Sequence, residues 1–447
     1  MTDLVFILGK NWLLSLAEVI VLLEDKGLLR EIRDYSKTSL IVSTTHAIKD
    51  EVIVDIQSAL GGAFKVGRVI YKYEIDEVAK AYPSKGSFSK SARQDVGDCP
   101  WLHSVWRTVG GKKIKFGVST YPSQVSDAPV HYIHFTKGLS EFIKRKLLEK
   151  GARKADYVMY EQPDRRVEKR INTSLWPQSL AKHNLLIPPN AEVLAAITES
   201  KVYIAKTVIA YDSMLQQLRD ESRPFISSEI STSPKVCRTL LTLSGARPGD
   251  TVLDPFCGTG TLLMEAALLD MKCIGIDIDG NTSEGTKSNL IWLGRELGSY
   301  INFTVLKGDA REVNKLVSTQ VDAVACEPHL GPVFRKRPER RDAEKQIVEL
   351  TKLYRDALNA IDLILRADGR VALTIPVILT KNGDVSMDIR EMTRGTRFQI
   401  YNLLPDHAFR GIDMKSRKIA IKPNRPVLPE RKRGQIVQRA VVMLGRG

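Results

Sequence analysis

The sequence predicts an α/β protein in which a C-terminal doubly wound sheet follows two smaller α+β units. Three observations predict it. Strand-like and helix-like stretches alternate as β-α-β-β-α-β over residues 1–75. From residue 230 onward, short apolar strands alternate with helical stretches, which implies parallel strands joined by crossover helices. A glycine-bearing turn, Asp254-Pro255-Phe256-Cys257-Gly258-Thr259-Gly260-Thr261, stands where one of those strands gives way to a helix. A length of 447 residues accommodates about three domains at ~150 residues each.

Taken in order, LVFILG (Leu4 to Gly9) reads as a strand, and Leu14 to Lys26 as a helix. Leu13, Leu16, Ile20 and Leu23 recur there at helical spacing. LLREIRDY and TSLIVSTT read as two short strands, Lys49 to Leu60 as a second helix, and AFKVGRVIYKYE as a further strand. That order is the split-βαβ, ferredoxin-like arrangement, assigned to residues 1–75. Residues 76–212 form a second unit. Its polar stretch from Gly86 to Cys99 reads as a loop. KKIKFGVSTY reads as a strand, and YIHF, with His134 in it and His131 just before it, as another. LSEFIKRKLLEKG reads as a helix closed by Gly151. DYVMYEQP and KVYIAKTVIAYD supply the next strands. Residues 213–229, containing RDESRPF, read as a linker into the third unit, 230–447, whose strands are TVLDPF, CIGIDID, FTVLKGD, AVACEP and RVALTIP.

Composition narrows the function classes. With 43% hydrophobic and 27% charged residues, a wholly disordered or fibrous chain is excluded. A net charge of +15 and a pI near 9.4 point to a polyanionic partner, nucleic acid or an anionic membrane surface. Basic residues cluster at Lys144, Arg145, Lys146, Lys150, Arg153 and Lys154, at Arg165, Arg166, Lys169 and Arg170, and in VFRKRPERR after residue 332. A last cluster holds Arg417, Lys418, Lys422, Arg425, Arg431, Lys432 and Arg433, as a phosphate-binding extension or as a solvated strand and tail. The run Leu13 to Leu23 carries Glu18 and lacks a basic start, so it reads as a buried helix and not a leader. No run approaches the ~18 apolar residues of a membrane span. The expectation is a cytoplasmic protein with no membrane partner. Cys99, Cys237, Cys257, Cys273 and Cys326 match no zinc-ligand spacing, so reduced thiols and no structural metal are expected.

The chemistry concentrates in the third unit. Glycines at a strand-to-helix turn let a ligand approach the backbone at the carboxyl end of a sheet. No Gly-Lys-Ser/Thr follows, so the turn is not a P-loop, and it does not fit G-x-G-x-x-G. Asp277 ends the next strand, where a carboxylate can accept both ribose hydroxyls of a nucleoside cofactor. Asp279 competes for that role or caps the following helix. Gly308-Asp309-Ala310 follows the third strand.

The string D-P-F-C-G-T-G-T closely resembles motif I of class I S-adenosylmethionine (SAM) methyltransferases that act on nucleic-acid amino groups. The resemblance implies a Rossmann-like domain holding SAM through Asp254, Phe256, Cys257, Gly258, Gly260, Thr261, Asp277 and Ile278. Asp309 would bond the adenine amino group, and Ala310 would donate its N–H to the ring. SSEISTSPKVCR resembles the segment preceding motif I, with Thr232, Ser233 and Pro234 closing the cofactor pocket or forming a helix N-cap with proline in the first turn.

Enzymes that methylate exocyclic amines carry Asp or Asn, then Pro-Pro-Tyr or Phe, after the fourth strand. The side-chain oxygen and a proline carbonyl accept the amine protons, and the aromatic residue stacks on the extruded base. Here the matching residues are Glu327, Pro328, His329 and Leu330. Glutamate keeps the carboxylate but adds a methylene, and either His329 or Leu330 would support the base. With LGKNWLLSLAE near the N-terminus, a central region resembling the THUMP RNA-binding module, and RDESRPF, the chain resembles the THUMP-containing tRNA guanine-N2-methyltransferases that modify guanosine-10. That family implies RNA, specifically tRNA, as the partner. Need for a small activating subunit stays open. So do two alternatives, a methyltransferase on ribosomal RNA or DNA bases and a non-catalytic RNA-binding protein with a degenerate acceptor motif.

Overall fold

In the computed structural model two sheets organise the chain, which is described over residues 1–124, 128–161, 173–212, 216–217, 221–227, 232–431 and 434–446. The basic residues Arg165, Arg166, Lys169, Arg170, Lys432 and Arg433, and part of the expected linker, lie outside the described residues.

The first sheet contains β1 (Asp3–Leu8), β2 (Leu29–Tyr35), β3 (Ser39–Thr44), β4 (Ala63–Glu74), β5 (Lys113–Tyr121), β6 (Lys154–Val158), β7 (Ala191–Ile197) and β8 (Lys201–Ala210), in the spatial order β2-β3-β1-β4-β8-β7-β5-β6. Its first four strands are antiparallel neighbours, with the helices Trp12–Asp25 and Asp50–Ala59 as the two crossovers. This is the ferredoxin-like order read from the sequence. The twelve-residue β4 is bonded to β1 on one side and β8 on the other, so the sheet runs on without a break into residues 76–212.

Two local expectations are corrected and one strand is added. The expected loop from Gly86 to Cys99 holds the helix Lys90–Gly97, started by Ser89, whose hydroxyl accepts the Ala92 N–H at 3.3 Å. YIHF is not a strand but the first turn of the helix Tyr132–Glu149. His131 is its N-cap, accepting the His134 N–H, and the buried stripe Phe135, Leu139, Ile143 and Leu147 continues a 3.6-residue period across the motif. The strand β7, AEVLAAI, is an addition: its alanines favour a helix, yet all seven residues are buried between β5 and β8.

The second sheet contains β9 (Thr251–Asp254), β10 (Lys272–Asp277), β11 (Phe303–Lys307), β12 (Ala323–Cys326), β13 (Arg370–Thr380), β14 (Gly383–Ser386), β15 (Phe398–Tyr401), β16 (Val427–Glu430) and β17 (Val437–Arg446). Its main order is β11-β10-β9-β12-β13-β17-β15, parallel through β13, with β17 antiparallel to both β13 and β15. The strand order reverses between β9 and β12, so the carboxyl ends of these two strands open a crevice. Among the described residues no helix is long and apolar enough to cross a membrane.

One apolar cluster joins the first and third units, running from Leu4, Leu16 and Ile20 to Val236, Leu240, Leu404 and Val441. Inside it the buried Glu18 carboxylate accepts the N–H groups of Gly61 and Gly62, each at 2.7 Å. Burial pushes Glu18 up to about 7. Gly61 leaves room for the helix Pro234–Leu243, since a Cβ there would lie 2.0 Å from the Lys235 carbonyl oxygen. Arg417, expected among the phosphate-binding candidates, is drawn into the same contact between units. Its guanidinium donates to Asp34 Oδ1 at 2.8 Å and to the Tyr35 carbonyl at 2.6 Å, and lies over the Tyr35 ring. Gly61→Ala is therefore expected to destabilise by about 1–3 kcal/mol through overpacking, read as a lowered Tm. Gly110→Ala, where an added Cβ meets nothing within 4 Å, is the matched control.

Candidate active site at the carboxyl ends of β9, β10 and β12

The turn after β9 is built from glycines because the backbone demands them. Gly258 and Gly260 have φ of 51° and 75°, in the left-handed region that a side chain rarely adopts. Three neighbours hold the turn. Gly258 donates its N–H to Asp277 Oδ2 at 3.0 Å, Thr286 donates its hydroxyl to the Gly258 carbonyl at 2.5 Å, and Asn289 donates to the Thr259 carbonyl at 2.9 Å. Asn289 also exchanges two hydrogen bonds with the Phe225 backbone, and Arg223 donates to Thr261 at 2.8 Å. The end of RDESRPF, expected as linker, thus packs on the glycine turn.

Asp277 sits at the tip of β10, its second oxygen accepting the Asp279 N–H at 2.9 Å. Each oxygen keeps a lone pair for a further donor. The competitor Asp279 is occupied as the N-cap of the helix Gly280–Leu297, accepting the Thr282 N–H at 2.7 Å and its hydroxyl at 2.8 Å. Those bonds hold its carboxyl below the usual range. Ile278, between the two, is 69% exposed, a large apolar side chain left in the open beside a polar crevice. Asp309 ends the next loop, its carboxylate clasped by the Arg311 guanidinium and held low by it, while Ala310 is buried beside it.

Asp254, at the end of β9, is 3% exposed and accepts only the Phe256 N–H, at 3.1 Å, among the described bonds. Burial pushes it up to about 8, with Asp277 and Glu327 adding like-charge repulsion. Cys257 is buried next to it and its thiol is pushed well up by the same burial.

After β12 the chain turns through Glu327, Pro328, His329 and Leu330. Tyr354, buried on the helix Arg340–Asp362, donates its hydroxyl to the His329 carbonyl at 3.0 Å and fixes this segment. His329 is exposed and Leu330 half-buried. Glu327 points inward, where Arg439 of β17 donates to its Oε1 at 2.7 Å. Its Oε2 is buried without a hydrogen-bond partner of normal geometry. Burial raises Glu327 above the usual range, with Arg439 and the Thr232 hydroxyl pulling the other way. Of the two expectations for Thr232, Ser233 and Pro234, the helix start with proline in its first turn is present. Thr232 lies against Glu327, and Pro234 opens a helix in its first turn behind Ser233. Arg335, Lys336, Arg337, Arg340 and Arg341 follow as an exposed basic run.

The structure therefore brings the glycine turn, Asp277, Ile278 and Glu327 to one crevice, and the residues fit a nucleoside cofactor. An open glycine turn, a carboxylate with spare lone pairs and an exposed apolar neighbour suit a ribose and a flat base. Sequence reasoning missed Arg439, Thr286, Asn289 and Tyr354. None belongs to a motif, and only the fold brings them near one. Among the described residues, no three His, Cys, Asp or Glu side chains gather as metal ligands.

Residues 223–377 match the family model described as UPF0020, RMKL-like, methyltransferase domain. The chain is 34% identical over 177 residues to a tRNA (guanine(10)-N2)-dimethyltransferase of Methanothermobacter thermautotrophicus, covering 39% of this chain and 48% of that one. A protein of the same name from Methanocaldococcus jannaschii is 32% identical over 43% of this chain and 54% of its own. A probable tRNA (guanine(10)-N2)-dimethyltransferase of Methanothermococcus thermolithotrophicus is 46% identical over 22% and 60%. The matches span about half the length of these curated relatives.

A carboxyl raised by burial binds its proton more tightly folded than unfolded. Its stabilising effect is complete below the unfolded value and is lost as pH rises through the folded one. For Asp254 that window runs from the ordinary 3.8 to about 8. Asp254→Asn, which mimics the protonated form, is expected to match wild-type stability only below the ordinary 3.8 and to lack the decline the wild type shows from there toward pH 8, so that its advantage grows across the range, measured by thermal unfolding from pH 4 to 8.

Proposed function

We propose that the chain is a SAM-dependent RNA methyltransferase that methylates the exocyclic N2 amine of a guanosine in tRNA. One observation carries the reading. A glycine turn, a ribose-type carboxylate and a buried acceptor carboxylate with an unpartnered oxygen converge where the strand order reverses. The relatives support the choice of reaction and substrate, since those reported are named for guanine-N2 methylation of tRNA.

Asp277 would hold the ribose hydroxyls, Ile278 would cover one face of the adenine, and Ala310 would offer its backbone N–H to the ring. Asp309 can reach the adenine amine only if Arg311 lets go. The cofactor supplies an electrophilic methyl group. The protein's own work is on the acceptor. The lone pair of an exocyclic amine is delocalised into the base, which makes the nitrogen a poor nucleophile. Glu327 Oε2 and the Pro328 carbonyl accept its two protons as hydrogen bonds and concentrate the lone pair on nitrogen. His329 or Leu330 supports the extruded base, and burial around Glu327 excludes water that would compete for the same oxygen. The basic run from Arg335 to Arg341 would meet the flanking phosphates.

Residues 76–212 are assigned as the THUMP module, with Lys144, Arg145, Lys150, Arg153 and Lys154 toward RNA. The reading includes a cytoplasmic location, where a tRNA substrate would be met. The test is transfer of labelled methyl from SAM to unmodified tRNA, with nucleoside analysis. N2-methylguanosine is the expected product, and no transfer by a protein that binds SAM would refute the reading. Glu327→Ala is expected to lower kcat by about 100- to 1,000-fold with SAM affinity retained. Asp277→Ala should instead weaken SAM binding by about ten-fold or more, measured by calorimetry.

A further inference from the structure

We propose that Arg439 is a positioning residue for this reaction: by clamping Glu327 Oε1 it aims Oε2 at the acceptor amine and keeps that carboxylate an acceptor. The inference rests on the proposed function and adds to it a residue outside the motifs and outside the matched residues 223–377.

The geometry is one-sided. Arg439 Nη2 donates to Glu327 Oε1 at 2.7 Å, while Oε2 of the same carboxylate is buried without a hydrogen-bond partner of normal geometry, the Thr232 hydroxyl lying against the carboxylate. An arginine that formed a closed bidentate pair would occupy both oxygens. Here the rest of the guanidinium is turned toward Glu430, with Nη1 3.6 Å from its Oε2. Register explains the turn, since Glu430 of β16 stands directly across from Arg439 on β17. Glu430 in turn accepts from Asn11 Nδ2 at 3.1 Å. Asn11 lies in LGKNWLLSLAE, the N-terminal string whose role was open. The chain Asn11–Glu430–Arg439–Glu327 thus runs from the first unit to the acceptor site, and three of its side chains are largely buried, at 11–14% exposure.

The longer side chain at position 327 fits this arrangement. The extra methylene lets the carboxylate reach back to β17 with one oxygen while leaving the other free of the arginine. The charged and titratable groups around it are Arg439 on β17, Glu430 on β16, Asp254 on β9, Cys237 on the helix Pro234–Leu243, Cys326 on β12 and Tyr354 on the helix Arg340–Asp362. Arg439 is the cation among them. Without it, carboxylate repulsion and burial favour the protonated form, which turns an acceptor oxygen into a donor.

The experiment is tRNA methylation by the full-length protein and four variants, measured as kcat and KM from pH 5.5 to 9. Arg439→Met is expected to lower kcat at neutral pH by about ten-fold or more and to move the acidic limb up by about one pH unit or more. SAM affinity and KM for tRNA should hold. Arg439→Lys, which keeps the charge, should restore the limb. Glu327→Gln supplies an orientation test that does not depend on charge. With Arg439 present, the amide oxygen takes the arginine and the NH2 faces the substrate amine, so activity is lost. In the double variant Glu327→Gln/Arg439→Met the amide can turn over, and kcat is expected to recover about ten-fold over Glu327→Gln alone. An Arg439→Met protein with an unmoved pH profile, or a double variant no better than Glu327→Gln, would overturn the proposal while leaving the methyltransferase reading intact. A wild-type protein that transfers no methyl would overturn both together.

Discussion

Three carboxylates, Asp254, Asp277 and Glu327, are held at neighbouring strand ends by the parallel pairing of β9 with β10 and with β12. Bringing like charges together at partly buried strand ends is expensive, and each is relieved differently. Asp254 is buried deep enough to hold its proton. Asp277 spreads its charge over two backbone N–H groups. Glu327 takes a guanidinium. The three have separate chemical characters because their surroundings differ, although two share the same side chain. The crevice therefore presents three carboxyl groups in three different settings at once.

The glycine turn between these carboxylates is not self-supporting. Its conformation depends on Thr286 and Asn289 from the helix behind it, and Asn289 also carries the segment just before the domain, through Phe225. Gly285 on that helix explains the fit, since a Cβ there would come 2.3 Å from the Phe225 ring. The turn, the helix and the incoming chain thus form one packed unit. A change at Phe225 would reach the cofactor crevice without touching it.

Much of this was legible in the sequence. Periodicity placed the helices of the first unit, and the alternation of apolar strands and helices implied the parallel sheet with its glycine turn at a strand end. Residues in motifs were found because a motif concentrates its information within a few positions. Arg439 was not, because it lies 112 residues after its partner and meets it only when β17 is inserted antiparallel beside β13. One error and one omission share a cause. AEVLAAI has helical composition and YIHF alternates like a strand, yet burial by neighbouring strands or the continuing stripe of a helix decided each. Arg417 reads as a surface charge in any window of the sequence, and only Asp34 and Tyr35 reveal it as a fastening between distant segments.

The double bonding of β4 has a consequence for how this chain can be divided. Many multidomain proteins are joined by a tether that can be cut, lengthened or exchanged. Here the join is a hydrogen-bonded strand with both flanks taken, by β1 and by β8. Severing the chain after Glu74 would leave the Lys65–Glu74 edge of β4, paired with β8 in the intact chain, facing water, the kind of open edge that recruits other strands. The N-terminal half is thus one sheet with no seam at Glu74, and a cut between its two sequence units has no loop to fall in.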